Sequence, residues 1–258
     1  MHEIQDRFTR SRLLFGEGFS HIATKRAIIF GVGGVGGFAL DGLYRAGCRN
    51  ITIVDKDCFD ITNQNRQIGA ESIGEVKVKV LEQLYPGVVG IEAQLDSAWL
   101  EGFMAESMQK CAEADTEKNS ADSHASSPND SAKQFCGFDY VIDAIDDIPA
   151  KILLAKACTH MPYGRFICST GSAKKLNPLE IKVASIWKSY GDKFARKLRD
   201  GLKKQGFKGD YKTIFSPEPP KCKGLGSFSA VTASFGLQIA SEVIRDILAS
   251  HAINLTKE

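Results

Sequence analysis

The stretch Arg26-Ala-Ile-Ile-Phe30-Gly31-Val-Gly33-Gly34-Val-Gly36 decides the fold of this chain. RAIIF is a short apolar run without polar alternation, which predicts a strand buried on both faces, as in a parallel sheet. Glycines follow at once. Gly34–Ala46 then carries Ala39, Leu40 and Leu43 at helical spacing, closed by Gly47. A strand, a glycine turn and a helix form the setting in which backbone N–H groups and the positive helix end meet phosphate. Asp55 ends the next predicted strand, Ile51–Val54, 19 residues after Gly36. A carboxylate there can accept both hydroxyls of a ribose. Gly31, Gly33, Gly34, Gly36 and Asp55 are therefore candidate nucleotide ligands. The motif by itself suits NAD as readily as ATP.

Working outward, Ser72 is a candidate cap for a helix reaching about Tyr85, stopped by Pro86-Gly87. Gly90–Leu95 reads as a third strand and Ala98–Cys111 as a helix. From Glu113 to Lys133 the chain has no aromatic, Val, Ile or Leu. Such a segment cannot offset its ordering entropy, and it is expected to be a disordered insertion in a surface loop. Phe138–Ile142 and Arg165–Ser169 read as strands flanking a helix over Ala150–Thr159. Glu180–Ile186 alternates as a partly exposed strand. A basic helical segment, within 187–212, spans Ser189–Gln205. Pro217, Pro219 and Pro220 mark a loop before a last apolar helix over Ala230–Ala249. Strands alternating with helices predict an α/β fold: a Rossmann-like, doubly wound, mostly parallel sheet with helices on both faces. Residues 1–258 read as one domain.

The chain has 258 residues, 43% hydrophobic and 25% charged, ordinary for a globular protein with a sizeable core. No two of the seven cysteines are spaced as a CxxC pair, which argues against a disulfide framework and a paired-CxxC zinc site. MHEIQDRFTRSR lacks an apolar stretch, and no run of about 18 apolar residues occurs. A cytoplasmic protein without a transmembrane segment is expected. The net charge of +2 hides an asymmetry. Lys174–Lys223 holds 14 Lys/Arg against 5 Asp/Glu, whereas Glu101–Asp130 holds 2 against 7. A basic block suits a phosphate-rich partner, though a solvated helix face has the same composition. On the predicted helix, Arg196, Lys197, Arg199, Lys203 and Lys204 can share one broad face, with Phe194, Leu198 and Leu202 opposite.

Two polar stretches carry the remaining chemistry. Asp55-Lys56-Asp57, followed by Asn63-Gln64-Asn65-Arg66-Gln67 and Lys77, is placed to meet phosphates through Asp57, Asn63, Arg66, Gln67 and Lys77. Asp143-Ala-Ile-Asp146-Asp147 follows a predicted strand, where carboxylates sit beside ligands in open α/β sheets. One of them can hold Mg²⁺ against phosphate oxygens. Helix N-capping by Asp146 or Asp147 is the competing reading.

The set GVGGVG, IVDKD, NxxRQ, GxxK and VIDAID, taken together, resembles the E1-like adenylating superfamily. That resemblance implies ATP and Mg²⁺ as cofactors and activation of a carboxylate as an acyl-adenylate. It also implies roles for Asp55, Asn63, Arg66, Lys77 and Asp146 in binding ribose, phosphates and Mg²⁺. A homodimer is implied too, in which an arginine of Arg7-Phe8-Thr9-Arg10, best Arg10, reaches the partner's ATP. Gly224-Leu-Gly-Ser227 matches as well. Within the superfamily the chain is similar to the tRNA threonylcarbamoyladenosine dehydratases, through RFxxxxxLFG near the start, TNxNRQI at 62–68, YVIDAID at 140–146, the stretch from Ile186 to Lys204, IFSPEP at 214–219 and VTASFG at 231–236. The implied activity is ATP-dependent cyclisation of N6-threonylcarbamoyladenosine at position 37 of tRNA, with tRNA and a sulfur-relay protein as partners. The alternatives are adenylation of the C-terminal glycine of a ubiquitin-like sulfur carrier, and a nucleotide-binding module or NAD oxidoreductase without adenylation. Lys151 stands where relatives often carry arginine.

Overall fold

The structure, a computed structural model, describes residues 5–119 and 135–255. Seven strands form one sheet: β1 (Arg26–Phe30), β2 (Asn50–Asp55), β3 (Val89–Glu92), β4 (Tyr140–Asp143), β5 (Phe166–Ser169), β6 (Lys182–Ser185) and β7 (Lys212–Phe215). Their order is β3-β2-β1-β4-β5-β7-β6. All neighbours are parallel except β6, which runs antiparallel to β7. The expected mostly parallel, doubly wound α/β sheet is thus observed. β1 is buried from Ala27 to Phe30 and β4 throughout, as their apolar runs require, with Asp143 at the end of β4 paired to Lys151.

Helices cover both faces. One face packs α2 (Gly18–Thr24), α3 (Gly36–Ala46), α4 (Lys77–Leu84) and α8 (Ser229–Leu255) around Ile29, Leu40, Ile53, Leu81 and Phe235. The other packs α5 (Ser97–Asn119), α6 (Ile148–Ala157) and α7 (Lys193–Lys204) around Phe30, Val141, Leu154, Leu198 and Leu202. No helix among the described residues is long and apolar enough to cross a membrane.

Several boundaries differ from the sequence reading. Helix α4 begins at Lys77, and Ser72 does not cap it. Cys58 and Val76 form an antiparallel bridge, and Phe59 bonds Gly74 and Glu75 through the backbone. That pairing keeps Val76 extended after a turn at Gly74 and delays the helix. Helix α5 runs to Asn119, seven residues into the polar stretch assigned to a disordered loop. The remainder of 113–133, from 120 onward, lies outside the described residues.

The basic segment 187–212 is helical only in part. Asp192 caps α7, accepting from the N–H groups of Phe194 and Ala195 at 2.7 and 3.1 Å. The chain leaves α7 after Lys204 and enters strand β7 at Lys212. Leu198 and Leu202 are buried as the spacing predicts, together with Ala195. Phe194 is not part of that stripe. Arg199 leaves the basic face, because its guanidinium bonds the Ser189 hydroxyl. The exposed basic residues of α7 are Lys193, Arg196, Lys197, Lys203 and Lys204.

Candidate nucleotide site

The strand order reverses between β1 and β4, so their connections leave toward opposite faces and open a crevice at the carboxyl ends of the strands. A cavity of about 750 Å³ lies there, within the range of roughly 300–1,000 Å³ usual for small-molecule sites. Its floor is the glycine turn. Gly31 has φ +81, which favours glycine. A Cβ on Gly36 would collide with the Gly31 carbonyl oxygen. The turn is thus compact because both positions lack side chains, and α3 starts directly behind it at Gly36.

Asp55 braces this turn. Its Oδ2 accepts from Val32 N–H at 2.8 Å, and its Oδ1 accepts from Asp57 N–H at 2.9 Å. Each oxygen keeps a further acceptor lone pair, and Asp55 lines the cavity. Arg66, Gln67 and Lys77 line the same wall, with Asp57. Arg66 donates to the Thr62 carbonyl and to Asn65 Oδ1 at 2.8 and 2.9 Å. Lys77 is buried and sits 3.5 Å from Asp57 Oδ2. Gln67 Oε1 is buried without a partner among the described residues, an acceptor that a ligand can satisfy.

The structure separates three carboxylates that the sequence grouped. Asp147 caps α6, accepting from Ala150 N–H at 2.8 Å. Asp143 is fully buried beneath the cavity and does not line it. Its Oδ1 accepts from Lys151 Nζ at 2.8 Å and from Ile145 N–H at 3.1 Å. Asp146 is exposed and lines the cavity. Asp143, expected as a direct ligand, is the last residue of β4; it packs inward and pairs with Lys151 of α6 behind the cavity lining. Asn63, also expected at the phosphates, stands behind the lining. It is buried and forms a reciprocal capping box with Asp60, its Oδ1 accepting from Asp60 N–H at 3.2 Å. It does not line the cavity. Asn65 instead donates to the Ser227 carbonyl at 3.2 Å, tying the Arg66 segment to the loop that Gly224-Leu-Gly-Ser227 opens before α8.

Arg10 lies elsewhere. It is exposed on α1 (Thr9–Phe15). Phe8, just before α1, packs on Phe19, which abuts Gly47 at the far end of α3. Within one chain, α1 sits at the opposite end of the sheet from the cavity. Sequence reasoning also missed part of the cavity wall. Ser169 ends β5 and Thr170–Ala173 follow it, Phe194 comes from the first turn of α7, and Ala93–Leu95 follow β3. The run Ser169-Thr-Gly-Ser172 after a buried strand is the signal that could have pointed to the first group.

Known proteins match this arrangement. A sequence model described as the ThiF family matches residues 7–257. The chain is 34% identical over 218 residues to a tRNA threonylcarbamoyladenosine dehydratase of Bacillus subtilis, covering 83% of this chain and 75% of that protein. It is 26% identical to the Escherichia coli protein of the same name, with 96% of each covered. The crystal structure of the E. coli enzyme in complex with ATP superimposes with TM-score 0.76 at 28% identity, covering 97% of this chain and 98% of that one. With its glycine turn, its braced Asp55, and Asp146 and Asp147 at the cavity, the chain belongs to the ThiF family and, within it, to the tRNA threonylcarbamoyladenosine dehydratases.

Proposed function

We propose that this protein uses ATP to dehydrate N6-threonylcarbamoyladenosine at position 37 of tRNA through a carboxyl-adenylate. The observation that carries the reading is convergence: Asp55, Arg66, Gln67, Lys77 and Asp146 meet in one cavity over a glycine turn. In this reading the nucleotide's ribose rests on Asp55 and its phosphates lie over Gly31, Gly33, Gly34 and Gly36. Arg66 and Lys77 stabilise charge on the phosphates, and Gln67 and Asp57 complete that wall. An oxygen of the threonyl carboxylate attacks the α-phosphorus and pyrophosphate leaves. An atom of the same side chain then attacks the activated carbonyl, closing a ring and releasing AMP. The second step is intramolecular, so no enzyme nucleophile is required. The protein's contribution is position and preset charge.

Mg²⁺ fits this donor set. Among the described residues no three His, Cys, Asp or Glu side chains gather to form a protein cage. Mg²⁺ is commonly held by one or two carboxylates plus substrate phosphates and water, and Asp146 supplies one exposed carboxylate at the cavity. When bound, the ion would neutralise phosphate charge; Asp146 would fix its position.

The test is direct. Purified protein, ATP and tRNA carrying the threonylcarbamoyl group are incubated, and the digested nucleosides are weighed by mass spectrometry. Loss of one water from the modified adenosine, with AMP formation, is the expected result. ATP–pyrophosphate exchange that instead requires a small carrier protein would move the assignment to sulfur-carrier activation.

A homodimer would bring Arg10 of one subunit to the other's ATP. Arg10→Ala should then inactivate the protein, and so should Asp146→Asn. Mixed dimers of the two variants should regain part of the activity, because one of their two sites keeps both residues. Absence of rescue after verified subunit exchange would exclude action across subunits.

The exposed face of α7 is the candidate tRNA surface. Changing Arg196, Lys197 and Lys204 together to alanine should weaken tRNA binding. Each phosphate left without its cationic partner should lower the slope of log K against log salt by roughly 0.7–0.9. ATP affinity should stay as in the wild type. Unchanged tRNA affinity and slope would leave this face merely solvated.

A further inference from the structure

The order β3-β2-β1-β4-β5 sets five strand ends side by side. At about 4.8 Å per step they extend over roughly 19 Å. A nucleotide with its ribose on Asp55 and its phosphates between the glycine turn and Asp146 occupies the ends of β2, β1 and β4. Ala93–Leu95, after β3, remain for its base. The end of β5 is left over. Its wall is Ser169–Ala173, completed by the ring of Phe194.

Phe194 is an unexpected residue for a phosphate site, since an aromatic ring offers neither charge nor a hydrogen bond. It is nevertheless firmly placed. Asp192 accepts its N–H at 2.7 Å and, through the other oxygen, accepts the Thr170 hydroxyl at 2.7 Å. Gly171 lies against the ring: a Cβ there would stand 3.4 Å from Phe194 Cβ and 3.5 Å from ring atoms. The buried Lys151 ammonium lies 5.9 Å from the ring centroid. The half-buried ring thus has fixed protein neighbours and still contributes to the cavity lining. A rigid aromatic surface in a cavity is what proteins use to stack an unpaired base of single-stranded RNA.

We propose that the β5–α7 wall is a second nucleoside subsite, where Phe194 stacks on the unpaired purine whose side chain carries the reacting carboxylate. The inference rests on the activity proposed above and adds where the acceptor base sits. That base is tethered to the carboxylate by one short side chain, so it must lie beside the phosphates, and this wall adjoins them. Phe194 acts by binding and positioning the acceptor.

The experiment compares Phe194→Ala and Phe194→Tyr with the wild type, with melting temperatures to confirm folding. Three quantities are measured: KM for modified tRNA, inhibition by the free N6-threonylcarbamoyladenosine nucleoside, and ATP affinity without tRNA. In the alanine variant, KM for tRNA and the nucleoside inhibition constant should both rise, by roughly 5- to 150-fold for removal of one base stack. ATP affinity should not move, and tyrosine should restore the wild-type values. A wild-type KM in the alanine variant would overturn the proposal. So would an equal loss of ATP affinity, which would give the ring to the cosubstrate's adenine. Wild-type protein that fails to dehydrate the tRNA would remove the activity reading itself. Normal turnover in both proteins would remove only the subsite.

Discussion

Asp146→Asn is expected to fold as the wild type does and to lose ATP-dependent turnover by about 10²–10³-fold in kcat/KM, or ~3 kcal/mol of transition-state stabilisation. Two features set this expectation apart from a general statement about acidic residues. Asp146 is exposed, and its side chain makes no hydrogen bond within the described chain, so asparagine disturbs no internal partner. A surface change of this kind shifts stability by no more than about 0.5 kcal/mol. The two neighbouring carboxylates behave differently because they hold structure: Asp147 caps α6 and Asp143 pairs with Lys151. Pyrophosphate exchange and thermal melting, measured on the same preparation, check the claim. Exchange near the wild-type rate would refute the role of Asp146. A large fall in melting temperature would mean that the side chain carries a structural load.

The 143–147 cluster also illustrates what the sequence could and could not convey. The strand, glycine turn and Asp55 were legible because each is local. An apolar run predicts burial, adjacent glycines predict a close turn, and a fixed distance predicts the end of the next strand. Which of these aspartates reach the cavity depends on where β4 stops pairing, and that is set by its register against β1, where Phe30 opposes Asp143. It depends also on Lys151, which reaches back from the second turn of α6. Neither is a local property. Asn63 and Asn65 posed the same problem. Both suit a phosphate loop by composition, yet one closes a capping box and the other holds Ser227 across 162 residues of chain. Strand β7 was unread because Lys212–Phe215 is four residues long and runs into prolines. It forms because β5 and β6 supply partners on both sides. Helical spacing puts Phe194 on the inward stripe with Leu198 and Leu202, because spacing alone cannot distinguish a core from a cavity wall.

Lys151→Met should be among the most destabilising single changes in the molecule. Lys151 and Asp143 are both fully buried, and their charged atoms are 2.8 Å apart. The ammonium also donates to the Ser169 carbonyl at 2.7 Å and approaches Cys168 Sγ at 3.5 Å. It thereby ties the end of β4 to the end of β5, the two strands that carry Asp146 and the Ser169–Ala173 wall. Methionine matches the length of lysine but leaves the Asp143 carboxylate buried without a counter-charge. Breaking a buried pair from one side costs about 3–5 kcal/mol, which for a chain of this size lowers Tm by roughly 6–20 °C. Adding Asp143→Asn to Lys151→Met should recover much of the loss, since the stranded charge is then gone. Lys151→Arg, which keeps the cation, should cost less than methionine. Burial alone would push the Lys151 ammonium down, but Asp143 and Cys168 outweigh it and its pKa lies above the ordinary 10.5. A folded pKa raised above the unfolded one stabilises fully below the unfolded value and stops doing so as pH rises through the folded value. The wild type should therefore show no loss from this group between about pH 6 and 9, and a loss on the alkaline side that Lys151→Met lacks. Melting curves of the three variants across pH decide the matter. A methionine variant as stable as the wild type, or a double variant no better than the single one, would show that the pair is not what joins β4 to β5.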